Sequence, residues 1–296
     1  MLHILETLTD PGRPQKPNED AFGYAPNASP SHAWVIDGAT DVSEGGLLAD
    51  DETGAHWLAH RASALFAERA AAHGADLRGL VRGAIETLAS EFETMRLREP
   101  RGRHEWPSAA MVLLHAGSGK LICANFADCG LILLDNDEMD DDFAEARVYG
   151  VQHTSREARA ISRTADMIAA LAPGADPFAS PDVMGYLRDN RARQNSDAGY
   201  WILGIDPQAA AHMRLWEIAF DRPVTGLLFS DGFGSIAFDY HRVSPAALLR
   251  RACAEGLAAI VDDIRGIERD EDPACLSWPR FKVSDDATAI LFRAEP

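Results

Sequence analysis

Short apolar segments that end in turn residues occur in runs, and the helical patterns lie between these runs in separate blocks. Strands are predicted near the start of the chain over HILETL, DAFGY and HAWVIDG, and two helical patterns follow over about 51–73 and 76–98. Strands resume at AAMVLLHA, LICANFAD and GLILLDN. Regular alternation of strand and helix is absent, which disfavours a doubly wound parallel sheet. The order of elements favours an antiparallel α+β architecture.

A helical segment interrupts the strands in the second half of the chain. Periodicity predicts one helix over about 155–172, ended by Pro173-Gly174, and a second over about 181–193. Strands are predicted next at GYWILG, MRLWEIAF and TGLLFSDG, followed by a helix over about 244–264 and a last strand at ATAILF. We therefore expect a helical insertion over about 151–198.

Composition and charge restrict the partners and the compartment. The 296 residues suit one large domain or two small ones, and 28 Lys and Arg against 46 Asp and Glu give a formal charge of −18. This charge disfavours nucleic acid and anionic membranes as partners. The sequence shows neither a signal peptide nor an apolar run of transmembrane length, so a cytoplasmic location is expected. The cysteines lack CxxC pairing and indicate free thiols: Cys123, Cys129, Cys253 and Cys275.

Acidic residues stand at the ends of several apolar strands. They are Asp37, Asp128, Asp231 and Asp285 with Asp286, and Glu19 and Asp20 form a further pair. Asp-Gly after a strand is a common turn, so each position alone is a weak signal. Together, however, strand ends in an antiparallel layer can bring the carboxylates to one edge, where they would repel one another or take up protons. A hard cation such as Mg²⁺ or Mn²⁺, which prefers oxygen ligands, would relieve that repulsion.

Five sequence motifs resemble, in order, those of the PP2C (PPM) family of metal-dependent phosphatases. They are NED at 18–20, VIDGAT at 35–40, ANFADCGLILL at 124–134, LLFSDGFGSI at 227–236 and SDDATAILF at 284–292. The resemblance spans nearly the whole chain. It implies a single PP2C-like domain over 1–296: a β-sandwich of two antiparallel sheets flanked by helices, with the insertion at 151–198 forming a flap beside the site.

The resemblance also implies roles for the matching residues. Asp37 would bridge two Mn²⁺ or Mg²⁺ ions, and Asp37 and Asp231 are the expected catalytic residues. The other implied metal-site residues are the carbonyl of Gly38, the carboxylates of Asp285 and of Asp128 (for a weak third ion), and Glu19 and Asp20, which would hold waters on the ions. Two such ions would activate a water for in-line attack on a phosphate ester. The expected substrate is phosphoserine or phosphothreonine in a protein or peptide.

Three positions depart from the family pattern. Four residues before the motif Glu, where many members have a phosphate-binding Arg, this chain has Gln15. Two residues after the bridging Asp, where eukaryotic members often have His, it has Ala39. Four residues after the aspartate of the Ser-Asp-Gly motif, where the family usually has an Asp that binds the third metal, this chain has Ser235. Arg13 is the expected substitute for the missing Arg, ahead of Lys16, because a guanidinium forms a planar fork that matches phosphate oxygens. The alternative is that the metals alone hold the phosphate.

Two other functions stay open at this point. The chain could hydrolyse a small phosphate ester, or it could be a weakly active PP2C-like protein that binds a partner for regulation. Three arginines on the second insertion helix, Arg188, Arg191 and Arg193, could also meet an acidic substrate, but exposed helical arginines are usually solvated, and that is the expectation here.

Overall fold

The computed structural model describes residues 1–25, 31–49, 52–141, 143–151, 155–172 and 175–296, with the backbone alone over 155–161. The strands are β1 Leu2–Asp10, β2 Asp20–Tyr24, β3 His32–Gly38, β4 Ala109–Gly117, β5 Lys120–Phe126, β6 Gly130–Asp135, β7 Arg147–Tyr149, β8 Arg214–Ala219, β9 Val224–Phe229 and β10 Ala287–Ala294. The α-helices are α1 Gly54–His73, α2 Leu77–Met95, α3 Ser155–Ala170, α4 Pro181–Arg191, α5 Ala209–His212, α6 Asp231–Phe238, α7 Pro245–Glu255 and α8 Leu257–Gly266.

The strands form two five-stranded sheets in which all pairs of neighbours are antiparallel. One sheet has the order β1-β10-β9-β6-β7 and the other the order β2-β3-β4-β5-β8. The expected α+β sandwich of two antiparallel sheets is therefore confirmed. In the second sheet the register sets Asp37 opposite Asp20 on one side and Ala110 on the other, so two acidic residues meet at the end of β3.

Apolar side chains that alternate along the strands cover both faces of each sheet. Val35 and Val112 face the other sheet, where they pack in one core with Ile290 and Phe292. Their neighbour Ile36 points the opposite way, into a second core formed with α1 and α2. A third core lies between the first sheet and helices α6, α7 and α8. Because strand side chains alternate between faces, the nearly continuous apolar strands of this sequence are typical of sheets covered on both sides.

Helices α1 and α2 cover the second sheet as an antiparallel pair. Arg61 donates to Glu91 with two bonds of 2.8 Å, and Arg69 donates to the Gly83 carbonyl at 2.8 Å, so partner numbers run in opposite directions. The Thr53 hydroxyl caps α1 by accepting from the His56 amide. The predicted helical pair is confirmed, and its first helix begins at Gly54.

Two sequence predictions are wrong in detail. The segment GYWILG, over 199–204, is not a strand, since its only ladder contacts are isolated bridges at Tyr200 and Leu203. Asn195, with φ of 50°, turns the chain back so that its own amide bonds to the Tyr200 carbonyl and its side chain accepts from Ile202. The helix predicted over 244–264 is two helices, because Gly256 takes φ of 85° between α7 and α8.

The segment between β7 and β8 carries helices α3, α4 and the short α5. The flap over 151–198 stays a prediction. The predicted stop at Pro173-Gly174 lies outside the described residues. Among the described residues, no helix combines the length and the apolar character needed to cross a membrane. The four cysteines are free, as expected.

Candidate metal centre

Three carboxylates from separate parts of the chain converge at one end of the sandwich. Asp37 ends β3, Asp128 lies in the turn between β5 and β6, and Asp231 is the first residue of α6, directly after β9. One oxygen from each lies within 4.8 Å of the other two. The structure thus brings together three of the acidic residues that the sequence pattern singled out.

Two glycines let the backbone approach closely enough to form this cluster. A Cβ on Gly38 would lie 2.5 Å from the Glu19 carbonyl oxygen, and a Cβ on Gly232 would lie 2.1 Å from the Asp286 carbonyl oxygen. Both distances are too short for any side chain. The glycines of the two Asp-Gly pairs are therefore required by packing of the main chain against neighbouring loops, and not by turn geometry.

Burial and mutual repulsion make the ionised cluster unfavourable. Burial raises the pKa of Asp37 well above its ordinary value, and the nearby charges of Asp231, Asp20 and Asp285 raise it further. Burial likewise raises the pKa of Asp231, with Asp128 as the next contribution. A divalent cation would reverse both effects, since it favours the ionised form of each carboxylate.

Glu19 and Asp20 lie beside the cluster in different environments. Glu19 accepts hydrogen bonds from the hydroxyls of Thr40, at 2.7 Å, and Thr53, at 3.0 Å, so its orientation is fixed. Asp20 is buried, and among the residues that the structure describes none donates a hydrogen bond of good geometry to either of its oxygens. Burial raises the pKa of Asp20 to about 7, although the nearby hydroxyls of Thr288 and Ser230 partly oppose this.

These features fit a hard divalent cation. Buried carboxylate oxygens without protein partners are a costly arrangement unless an ion or ordered water completes it. The donors gathered here are carboxylate oxygens, which suit Mg²⁺ or Mn²⁺ better than Zn²⁺. The residues present can therefore hold the metal that the sequence predicted.

The segment 282–286 contributes two adjacent aspartates with separate contacts. Asp286 accepts from the Gly12 amide at 2.9 Å and from the Glu19 amide at 2.6 Å, so it fixes the loop between β1 and β2. Asp285 accepts from the ammonium of Lys282 at 2.6 Å and from the Asp286 amide at 3.0 Å. The sequence reasoning missed the positioning role of Asp286, which lies within the quoted motif, and the ion pair of Lys282, which lies two residues before it.

The turn that carries Asp128 is held by a buried amide and an arginine. Asn125 donates to the carbonyls of Met111, at 3.1 Å, and Cys129, at 2.7 Å. Its oxygen accepts from Arg214, which also donates to the carbonyls of Ala127 and Gly150. Ala127 itself takes a left-handed conformation with φ of 57°. Arg214 was not singled out by the sequence, because it lies 86 positions beyond Asp128 at the start of β8.

The carboxylates open onto a cavity of about 930 Å³ that residues of the helical insertion also line, among them Phe178, Leu187 and Arg191. Arg191 donates to the Ala39 carbonyl at 3.3 Å and to the Ser108 hydroxyl at 3.1 Å, and Arg188 donates to the Val42 carbonyl at 2.9 Å. The expectation that these two arginines are simply solvated is wrong, because α4 packs them against the loop after Asp37. Arg193 is exposed, as expected.

Comparison with known proteins gives a match in structure and none in sequence. No family model and no curated protein matches the sequence. The serine/threonine phosphatase PstP of Mycobacterium tuberculosis matches with a TM-score of 0.56 and 15% identity, over 100% of this chain and 99% of that one. The serine/threonine phosphatase Stp1 of Staphylococcus aureus matches with a TM-score of 0.57 and 15% identity, over 100% of this chain and 96% of that one. The catalytic domain of PstP in complex with two manganese ions matches with a TM-score of 0.51 and 13% identity, over 100% of this chain and 99% of that one.

The chain has the PP2C fold. Within that fold, the three departures from the motif pattern have distinct surroundings, and Ala39 lines the cavity. Gln15 is exposed, and neither Arg13, which is partly buried, nor Lys16 is among the residues that line the cavity. Ser235 is buried and donates to the Gly232 carbonyl at 2.8 Å, so its hydroxyl stabilises the first turn of α6. The role expected of Arg13 stays a prediction.

Proposed function

We propose that this chain is a metal-dependent phosphatase that hydrolyses phosphoserine and phosphothreonine monoesters in proteins. The observation that carries the proposal is the convergence of Asp37, Asp128 and Asp231 within 4.8 Å at the edge of a large cavity. Supporting it, the solved structures that share the PP2C fold are described as serine/threonine phosphatases, and one of them is a complex with two manganese ions.

Each acidic residue has a part in the proposed site. Asp37 and Asp231 are the proposed catalytic residues, because both belong to the carboxylate cluster and would anchor the ions there. The remaining proposed metal-site residues are Gly38 through its carbonyl, Asp285, Glu19, Asp20 and Asp128. When bound, two Mn²⁺ or Mg²⁺ ions supply an activated water and positive charge for the phosphoryl oxygens.

The chain's own residues set the geometry around that chemistry. Thr40 and Thr53 orient the Glu19 carboxylate, and Asp286 holds the backbone of the same loop. Asp20 offers two buried oxygens that accept no hydrogen bond of good geometry from the described part of the chain. These hydrogen bonds orient the Glu19 carboxylate and its loop without a substrate, and such preorganisation is the condition for stabilising a transition state without reorganisation.

The test is turnover of a generic aryl phosphate with and without Mn²⁺. We expect activity with added Mn²⁺ or Mg²⁺ and none with excess chelator. The matched control is Asp262→Asn, which removes one carboxylate from the exposed face of α8 and should leave turnover unchanged. Absence of metal-dependent turnover in the wild-type protein would favour the partner-binding alternative.

A panel of phosphopeptides then distinguishes the substrate classes. A protein phosphatase should show higher kcat/KM on phosphoserine or phosphothreonine peptides than on small esters, because residues around the phosphorylated position add contacts along the cavity. Equal kcat/KM for a peptide and a small ester would favour the small-ester alternative.

A further inference from the structure

The cavity has a small set of cationic side chains that could meet a phosphate. Among the described residues that line it, the Lys and Arg residues are Arg191, Arg214, Arg280 and Lys282. The three arginines are committed to the protein. Arg191 and Arg214 donate to backbone carbonyls on the two sides of the cavity, and Arg280 donates to the Asp272 carboxylate at 2.8 Å and to the Glu268 and Trp278 carbonyls.

Lys282 is different, because within the described part of the chain its ammonium makes one hydrogen bond, to Asp285 at 2.6 Å. An ammonium has three donors, so two are left for a ligand. The side chain is 21% exposed and the residue lines the cavity. The bond to Asp285 places the ammonium beside the acidic cluster.

The pairing with Lys282 leaves Asp285 able to bind a metal. Both hydrogen bonds that Asp285 accepts, from Lys282 and from the Asp286 amide, go to Oδ1. Its other oxygen, Oδ2, accepts none within the described part of the chain. A carboxylate has about four acceptor positions on two oxygens. Asp285 can therefore fix the ammonium through one oxygen and offer the other to a cation.

We propose that Lys282, held in position by Asp285, is the phosphate-binding cation of this site. It would take the role of the family's phosphate-binding arginine, whose position in this chain is occupied by Gln15. This inference rests on the proposed function and assigns the residue that recognises the phosphoryl group of its substrate. The ammonium donates to phosphate oxygens without any covalent step. The chain has three lysines, and the other two, Lys16 and Lys120, do not line the cavity.

Binding of inorganic phosphate to the Mn²⁺-loaded protein, measured by calorimetry, tests the proposal without requiring turnover. Lys282→Met should weaken phosphate binding by about tenfold or more, the scale of one charge-assisted hydrogen bond. Lys282→Arg, which keeps a cation, should retain most of the affinity. The matched control is Lys16→Met, which removes the same charge from the exposed turn beside Gln15 and should leave the affinity unchanged. Arg13→Ala tests the competing assignment.

An unchanged phosphate affinity in Lys282→Met would overturn the proposal. A loss of affinity in Arg13→Ala alongside that result would assign phosphate binding to Arg13. Tighter Mn²⁺ binding alongside it would identify the lysine as an internal counter-ion only. If Lys282→Met does not fold, Lys282→Gln gives the same decision, since its amide can still donate to Asp285 but carries no charge. Failure of the proposed function would instead appear as wild-type protein without metal-dependent turnover.

Discussion

Replacing Asp20 by Asn should change how the stability of the metal-free protein depends on pH. Burial raises the pKa of Asp20 to about 7 in the folded chain, from an ordinary value of 3.8. Between these values the folded chain keeps a proton that the unfolded chain loses. The stability contributed by this proton is complete below pH 3.8 and is lost as the pH rises through about 7. At about 1.4 kcal/mol for each pH unit, the whole loss is about 4 kcal/mol.

Urea unfolding in EDTA at pH 5, 6, 7 and 8 measures this effect. Relative to Asp20→Asn, the free energy of unfolding of the wild-type protein should fall by about 3 kcal/mol from pH 5 to pH 8. The asparagine amide adds an offset that does not depend on pH. Saturating Mn²⁺ should abolish the pH dependence of the difference, because a bound cation keeps the carboxylate ionised in the folded state.

The control variant is Asp262→Asn, whose carboxylate is exposed on α8, and its difference from the wild type should be flat over the same interval. A flat or rising difference for Asp20→Asn would refute the reasoning. It would mean that solvent reaches the Asp20 carboxylate in the folded protein, and that its buried position does not destabilise the ionised form.

Three further predictions concern single positions. Asp231→Asn should lower Mn²⁺-dependent turnover of an aryl phosphate at least about a hundredfold, because it removes a charge that anchors a metal; unchanged turnover would contradict the assignment. Ala127→Gly should stabilise the protein by about 1 kcal/mol, because glycine adopts the left-handed backbone at φ of 57° without a Cβ clash. Thermal melts measure this, and a lower melting temperature would count against the prediction. Glu105→Gln should lower the free energy of unfolding by about 3 kcal/mol at pH 7, because the hydrogen bonds from Arg98 lower the pKa of buried Glu105 to about 2. In urea titrations this loss should shrink as the pH falls from 4.5 towards 2, and a loss that stays constant would be inconsistent with the prediction.

Much of the fold follows from local pattern. Apolar strands in runs, with helices between them, predict the antiparallel layers, and Asp-Gly at the ends of β3 and β9 marks where carboxylates gather. The segment over 199–204 has the same apolar composition as a strand, but Asn195 folds it back on its own chain. Composition alone does not distinguish a strand from a buried loop, because both fill a core with apolar side chains.

The parts of the site that the sequence did not predict are contacts between distant segments. Arg191 reaches the loop after Asp37 from 152 residues away, and Arg214 supports the turn of Asp128 from another strand. Such contacts depend on how helices and sheets pack, and no local spacing encodes them. Lys282 was within three residues of a quoted motif, yet its relevance depends on an ammonium position that only the folded chain defines.

The way in which α4 holds the loop after Asp37 has a consequence for sequence change. Arg188 and Arg191 contact that loop through its main-chain oxygens, at Val42, Ala39 and Thr40. Every amino acid presents the same carbonyl, so these docking contacts do not depend on which side chains the loop carries. Substitutions at Ala39 and Val42, which line the cavity, can therefore change its shape without removing these contacts, whereas Thr40 is constrained by its hydroxyl, which donates to Glu19.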